Sequence, residues 1–264
     1  MKLPLYQVDA FTQRLFGGNP AAVVLLDAWL PDRVLAAIAA ENNLAETAFV
    51  IPRPDASPLR WFTPAVEVDL CGHATLAAAD VLFRYRYPSL ARLAFSTKSG
   101  ELVVTREGAL LKMDFPARPG KPIAVTDALA AALGVRPREV YMARDLLAIV
   151  GSESEVRALR PDFARVAALD AFAVIVSAPG DTVDFVSRFF APAAGIPEDP
   201  VTGSSHCTLA PYWAARLGKN QLTAKQLSAR GGDLLCELRG DRVVIAGHVV
   251  EYLRGEIETE GPAI

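Results

Sequence analysis

Apolar residues dominate 3–10 and fill 21–26 without a break, short runs that read as strands. A helical period follows. Over 32–41, Leu35, Ile38 and Ala39 recur at helical spacing, and the pattern stops at Asn42-Asn43, residues that tolerate the left-handed conformation closing many helices. Strands are expected over 47–51 and 59–63, followed by a loop to Gly72-His73. A helix over 74–84 shows Leu76, Ala79, Leu82 and Phe83 on one face, and 102–105 with 109–115 forms a hairpin turning at Glu107-Gly108. The second half follows the same grammar, with strands over 145–150, 171–176 and 184–190, helices over 154–159 and 205–217, and a hairpin of 233–239 with 242–245. Pro211 falls inside the last of these helices. It lacks an N–H, so the helix is expected to kink there or to start late. Mostly antiparallel strands with one long helix per half predict an α+β fold.

The halves also resemble each other in sequence. Arg60-Trp61-Phe62-Thr63-Pro64-Ala65 reappears as Arg188-Phe189-Phe190-Ala191-Pro192-Ala193. His73-Ala74-Thr75-Leu76-Ala77 reappears as His206-Cys207-Thr208-Leu209-Ala210, and Gly100-Glu101-Leu102 as Gly232-Asp233-Leu234. Three collinear matches at nearly constant spacing indicate a duplicated unit. Three prolines between residues 116 and 122 read as a linker, which divides the chain into lobes 1–117 and 118–264, with the last strand free to return to the first lobe.

Composition narrows the function. The chain has 264 residues, 52% apolar and 22% charged, which excludes disorder as its main state. Lys and Arg number 27 against 30 Asp and Glu, a balance of −3 that offers no footprint for nucleic acid. The longest apolar run, 34–40, is far shorter than a membrane span, and the residues before Asp9 lack a signal-peptide core. Cys71, Cys207 and Cys236 are too few for a disulfide framework and suit a reducing, cytoplasmic setting. No zinc-type spacing, phosphate-binding loop or nucleophile elbow is present, which argues against a structural zinc or iron site and weakens nucleotide, dinucleotide and serine-hydrolase readings without excluding them.

Candidate chemistry gathers at the duplicated loop. Each copy places small residues before a helix: Leu70-Cys71-Gly72-His73, and Val201-Thr202-Gly203-Ser204-Ser205-His206. Helix N-termini present unpaired N–H groups and partial positive charge, and glycine permits close approach, so a pair of such loops in a cleft between lobes would hold a small carboxylate. Glu46 heads an apolar strand, where partial desolvation would raise its pKa toward proton-transfer values, although composition alone favours a solvated loop glutamate. Asp199 is held by flanking prolines, and Glu198 is equally well placed by spacing. At the first position of its helix His73 would be disfavoured as imidazolium and is expected to be neutral at pH 7. His206 is its repeat partner, and His248 has only a strand context. The repeat aligns Cys71 with Ser204, not with a cysteine, so a two-thiol mechanism is unsupported and Cys71 reads as a small buried residue.

At these residues the sequence resembles the PhzF-like family, named for the phenazine-biosynthesis isomerase. The matching strings are Gln7-Val8-Asp9-Ala10-Phe11, Gly18-Asn19-Pro20-Ala21, Asn43-Leu44-Ala45-Glu46-Thr47-Ala48-Phe49, Arg60-Trp61-Phe62-Thr63-Pro64, Leu70-Cys71-Gly72-His73-Ala74-Thr75 and Glu198-Asp199-Pro200-Val201-Thr202-Gly203-Ser204. The resemblance implies a diaminopimelate-epimerase-like fold, two similar lobes each with a barrel-like sheet around a long helix. It implies that Glu46 is the main proton-transfer group, with His73, Asp199 and Ser204 as partners, and that Asn19, Thr63, Gly72, Gly203 and Ser205 bind substrate. It further implies a homodimer and a reaction like the cofactor-free isomerisation of trans-2,3-dihydro-3-hydroxyanthranilate. The reading is therefore a cofactor-independent isomerase or epimerase moving a proton on a small carboxylate. Two alternatives stay open: an amino-acid epimerase or racemase using Cys71, and a non-catalytic protein that binds small carboxylates.

Overall fold

The computed structural model describes residues 1–259. In chain order the elements are β1 (Lys2–Ala10), β2 (Asn19–Leu25), α1 (Asp32–Asn42), β3 (Glu46–Val50), β4 (Ser57–Phe62), β5 (Glu67–Val68), α2 (Gly72–Tyr85), β6 (Arg92–Thr97), β7 (Gly100–Glu107) and β8 (Leu110–Pro116). They continue with β9 (Lys121–Ile123), α3 (Asp127–Leu133), β10 (Glu139–Met142), β11 (Leu146–Ile149), α4 (Glu153–Ala158), α5 (Phe163–Ala167), β12 (Val174–Pro179) and β13 (Phe185–Phe190). The last are α6 (His206–Leu217), β14 (Gln221–Gln226), β15 (Gly232–Arg239), β16 (Arg242–Gly247) and β17 (Val249–Glu258). Two compact units result, Met1–Asp114 with Ala246–Ile264, and Phe115–Ile245. No helix among the described residues is long and apolar enough to cross a membrane.

The duplication is visible in how strands pair. In the first unit β1–β2 is antiparallel, β2–β3 parallel, β3–β4 antiparallel, β4–β6 parallel and β6–β7 antiparallel. In the second, β10–β11 is antiparallel, β11–β12 parallel, β12–β13 antiparallel, β13–β14 parallel and β14–β15 antiparallel. Each parallel pair needs a crossover, and helices fill these gaps at matching places: α1 against α4 and α5, α2 against α6. The fold is α+β, as the hydrophobic pattern predicts. β17 adds what no local pattern shows: it returns to the first unit and pairs antiparallel with β1 along its length.

The first unit buries Leu35 and Ile38 of α1 against Val24, Phe49 and Phe62, and the Phe49 and Phe62 rings meet edge to face at 5.6 Å. Every residue of α2 from His73 to Phe83 is buried, so this helix is apolar around most of its circumference and forms the centre of its unit. The second unit has its own core, with Leu129, Leu133, Val140, Val156, Val176 and Phe190.

Some expectations shift. The 74–84 helix begins two residues earlier, at Gly72, and part of the proline-rich 116–122 stretch forms β9, where Pro122 lies opposite Tyr141 of β10. Pro211 does not delay its helix, since α6 begins at His206 and a 3-10 turn, Gly203–Ser205, leads into it. The missing N–H at Pro211 frees the carbonyl of Cys207, four residues earlier, and the Arg118 N–H takes it at 2.8 Å. The break thus becomes an anchor for the linker.

Candidate active site

Three segments of the first unit bring their polar ends together. Glu46 opens β3, in register with Ala21 of β2, and its side chain is 12% exposed. Asn19 opens β2 and is fully buried. Its approach depends on Gly18, at φ +62°, where a Cβ would stand 2.1 Å from the Ala10 carbonyl oxygen. Cys71 is the N-cap of α2 in extended conformation, and His73 follows within the first turn. Thr75 locks this turn by donating its hydroxyl to the Cys71 carbonyl at 2.6 Å.

His73 is the hub. Its Nε2 lies 3.0 Å from Glu46 Oε2, a close ion-pair distance at which the oxygen receives no well-aligned hydrogen bond. The Asn19 amide nitrogen lies 3.2 Å from Nδ1, and Cys71 Sγ lies 3.5 Å from the same atom. Burial by itself would drive the imidazole neutral, but the sulfur and the Glu46 carboxylate oppose it and prevail, so the His73 pKa lies well above 6.5. Burial first, and then the Glu46 charge, push the Cys71 thiol up. The upward shift at His73 is opposite in sign to that expected from the helix dipole alone, because the sulfur and the carboxylate contact the ring directly. Cys71 is buried, as the repeat alignment suggests, but it touches the cluster rather than merely filling core.

The second unit builds a different cluster at its matching loop. Glu198 is engaged by Arg188 through two bonds of 2.7 and 2.8 Å. The first unit does the same with Arg60 and Glu67, which sets Glu67 down to about 2 through its bonds to Arg60 and, against burial, Lys98. Glu198 is thus held in an ion pair, and the Asp199 carboxylate accepts the Thr202 hydroxyl. The Asp199 N–H is tied to the Phe189 carbonyl at 3.1 Å. Ser204 is half-buried, and its hydroxyl accepts from Arg144 at 3.4 Å. Ser205 and His206 both donate to the Thr202 carbonyl, at 2.8 and 2.9 Å. With Nδ1 so used, His206 Nε2 has no hydrogen-bond partner among the described residues, and burial lowers its pKa to about 4, leaving it neutral. Neither α2 nor α6 is capped by its own N-cap side chain.

Within each unit, then, Glu46, Asn19, Gly72 and His73 gather at one helix start, and Asp199, Gly203, Ser204 and Ser205 at another. Thr63 stands apart from this chemistry, its hydroxyl closing a turn with Val66 and Ala65. Sequence reasoning misses Arg144, Thr202 and Gln226. Gln226 carries a readable signal, for it follows Leu222 and Ala224 on the inward face of β14, where a polar side chain needs partners. Among the described residues the donor atoms of Glu46, Cys71 and His73 also lie within 4.8 Å of one another, a nitrogen, sulfur and oxygen set that suits zinc chemically. All three cysteines are free and buried.

Comparison with known proteins gives this geometry a lineage. Residues 8–255 match the family model described as phenazine biosynthesis-like protein. The chain is 55% identical over 258 residues to an uncharacterized isomerase of Pseudomonas aeruginosa, covering 97% of this chain and 99% of that one. It superposes on a crystal structure of a phenazine biosynthesis protein of the PhzF family from Enterococcus faecalis with a TM-score of 0.96 and 47% identity, over 98% of this chain and 100% of that one. A probable proline racemase from Agrobacterium radiobacter, at 12% identity and a TM-score of 0.63 over 98% of this chain and 93% of that one, shares the fold alone. Matched along nearly its whole length in sequence and in structure, the chain belongs to the phenazine biosynthesis-like family of isomerases.

Proposed function

We propose that the protein is a cofactor-independent isomerase that moves a proton on a small carboxylate, with Glu46 as the acid–base group and a substrate of the trans-2,3-dihydro-3-hydroxyanthranilate type. The observation that carries this reading is the Glu46–His73 pair, a carboxyl group 12% exposed whose Oε2 lies 3.0 Å from the Nε2 of a buried histidine. Glu46 takes a proton from one carbon, becomes the neutral acid, and returns the proton to another carbon, so a single group suffices. His73 orients the carboxylate between transfers. Asn19 and Cys71 hold His73.

The substrate carboxylate is assigned to the helix starts. Both lack a side-chain cap, and at α6 the Arg144 guanidinium adds charge beside Ser204. In the second unit, Asp199 is proposed as a proton acceptor and Ser204 as a donor to developing negative charge. Buried free thiols support a reducing compartment, and a homodimer is the expected assembly, to be checked by light scattering.

The test incubates trans-2,3-dihydro-3-hydroxyanthranilate and a panel of small carboxylates in deuterium oxide and follows C–H exchange by NMR. Wild type is expected to exchange and Glu46→Gln to fail. Undiminished exchange in Glu46→Gln would remove Glu46 from the mechanism, and a racemase based on Cys71 would instead lose exchange in Cys71→Ala. Binding without exchange of any hydrogen would leave a carboxylate-binding protein.

A further inference from the structure

We infer that Gln226 and Thr202 form a hydrogen-bond relay that positions the Asp199 carboxylate, a role resting on the proposed involvement of Asp199 in proton transfer. Gln226 is fully buried at the end of β14, and Thr202 is 7% exposed. The Gln226 Oε1 accepts the Thr202 backbone N–H at 2.9 Å, and Nε2 donates to the Asp199 carbonyl at 2.8 Å and to Thr202 Oγ1 at 3.2 Å. The backbone leaves the amide one orientation, because an N–H must meet oxygen and a carbonyl must meet the NH2 group.

That orientation dictates the rest. The Thr202 oxygen accepts an N–H hydrogen bond from Gln226, so its own single proton is directed to the Asp199 carboxylate, to which it is hydrogen-bonded. Each link polarises the next. The relay fixes both the backbone and the side chain of Asp199, and it favours the ionised carboxylate. The charged neighbours on this loop and on β13, Glu198 and Arg188, bind each other and do not depend on it. Ser228 adds a backbone tether, donating to the Pro200 carbonyl at 2.7 Å.

The experiment compares Thr202→Val, Thr202→Ser and Gln226→Met with wild type. The first readout is the Asp199 pKa, followed by NMR of its side-chain carboxyl carbon. Thr202→Val and Gln226→Met are expected to raise it by about one unit, and Thr202→Ser to restore it. Thr202→Val is nearly isosteric and serves if Gln226→Met does not fold. An unchanged Asp199 pKa in Thr202→Val overturns the relay. The second readout is deuterium incorporation into trans-2,3-dihydro-3-hydroxyanthranilate, where Thr202→Val is expected to lower kcat about tenfold with KM within about twofold. A relay seen by NMR in a wild-type protein that incorporates no deuterium defeats the proton-transfer reading and leaves the relay standing. Incorporation with an unchanged pKa does the reverse.

Discussion

His73 Nε2 stands 3.0 Å from Glu46 Oε2 with both side chains largely withdrawn from solvent. Against its burial, the Cys71 sulfur first and then that carboxylate push the ring's pKa up. A proton-transfer group paired in this way has its orientation set by a helix rather than by a loop.

Removing the carboxylate should therefore be felt in the chemical step. Glu46→Gln is expected to lower the exchange rate about 10²- to 10⁴-fold with a small change in KM, measured by deuterium incorporation. His73→Gln should also lower kcat, but by less than Glu46→Gln. A larger loss in His73→Gln would make the imidazole the acid–base group.

The two repeat-related histidines should shape stability on opposite sides of neutrality. The folded His73 keeps its proton above 6.5, where the unfolded chain releases it, so its contribution is full below about pH 6.5 and is lost as pH rises through its folded value. His206 is the reverse. Its folded pKa is about 4, so between pH 6.5 and 4 only the unfolded chain binds the proton, and stability falls on acidification by up to about 3 kcal/mol. Urea unfolding across pH should show both limbs. His206→Gln should flatten the acid limb and Glu46→Gln the alkaline one, and limbs that persist in these variants would assign them to other groups.

Cys71 should matter as a neighbour and not as a base. Cys71→Ala is expected to keep exchange within about tenfold of wild type, and iodoacetamide should modify Cys71 far more slowly in the folded than in the unfolded protein, because the thiol is buried and its pKa raised. Loss of exchange as complete as that of Glu46→Gln would favour the racemase chemistry.

The same three donors permit a test with metal. Chelation with EDTA should leave exchange unchanged, whereas added Zn²⁺ should inhibit by occupying Glu46 and His73, and Cys71→Ala should weaken that inhibition. Activity that disappears with EDTA and returns with Zn²⁺ would make the ion part of the catalyst.

Gly18 should tolerate no side chain. Its φ of +62° and the Ala10 carbonyl oxygen at 2.1 Å from a built Cβ leave no room, and Gly18→Ala is expected to cost about 1–3 kcal/mol in urea unfolding. It should also disturb Asn19, the next residue. A stability change under about 0.5 kcal/mol would show that the backbone relaxes freely there.

Much of the fold is legible because its rules are local. The α1 helix spaces its apolar residues regularly and ends at Asn43 in the left-handed conformation, as the asparagine pair predicts. By contrast α3 has only Leu129 and Leu133 to mark a period, too short a run to register, although Thr126 caps it and Gly134 closes it. Glu46 is readable as a carboxyl heading an apolar strand. Its charge partner is not, since β2, β3 and the start of α2 meet only once the sheet has formed. The protonation of His73 is misjudged for the same reason: a helix dipole can be inferred from sequence, whereas a carboxylate delivered by another strand cannot. Glu198 and Asp199 are indistinguishable by spacing and are separated only by Arg188 reaching one of them.

The pairing of β17 with β1 makes the first unit wait for the second. On the ribosome, all of residues 115–245 emerge before the strand that covers β1, so the earliest-made sheet carries a bare edge throughout most of translation. The polypeptide closes like a clasp, its late segment fastening its early one, and a version cut before Val249 would leave that edge open to neighbouring molecules.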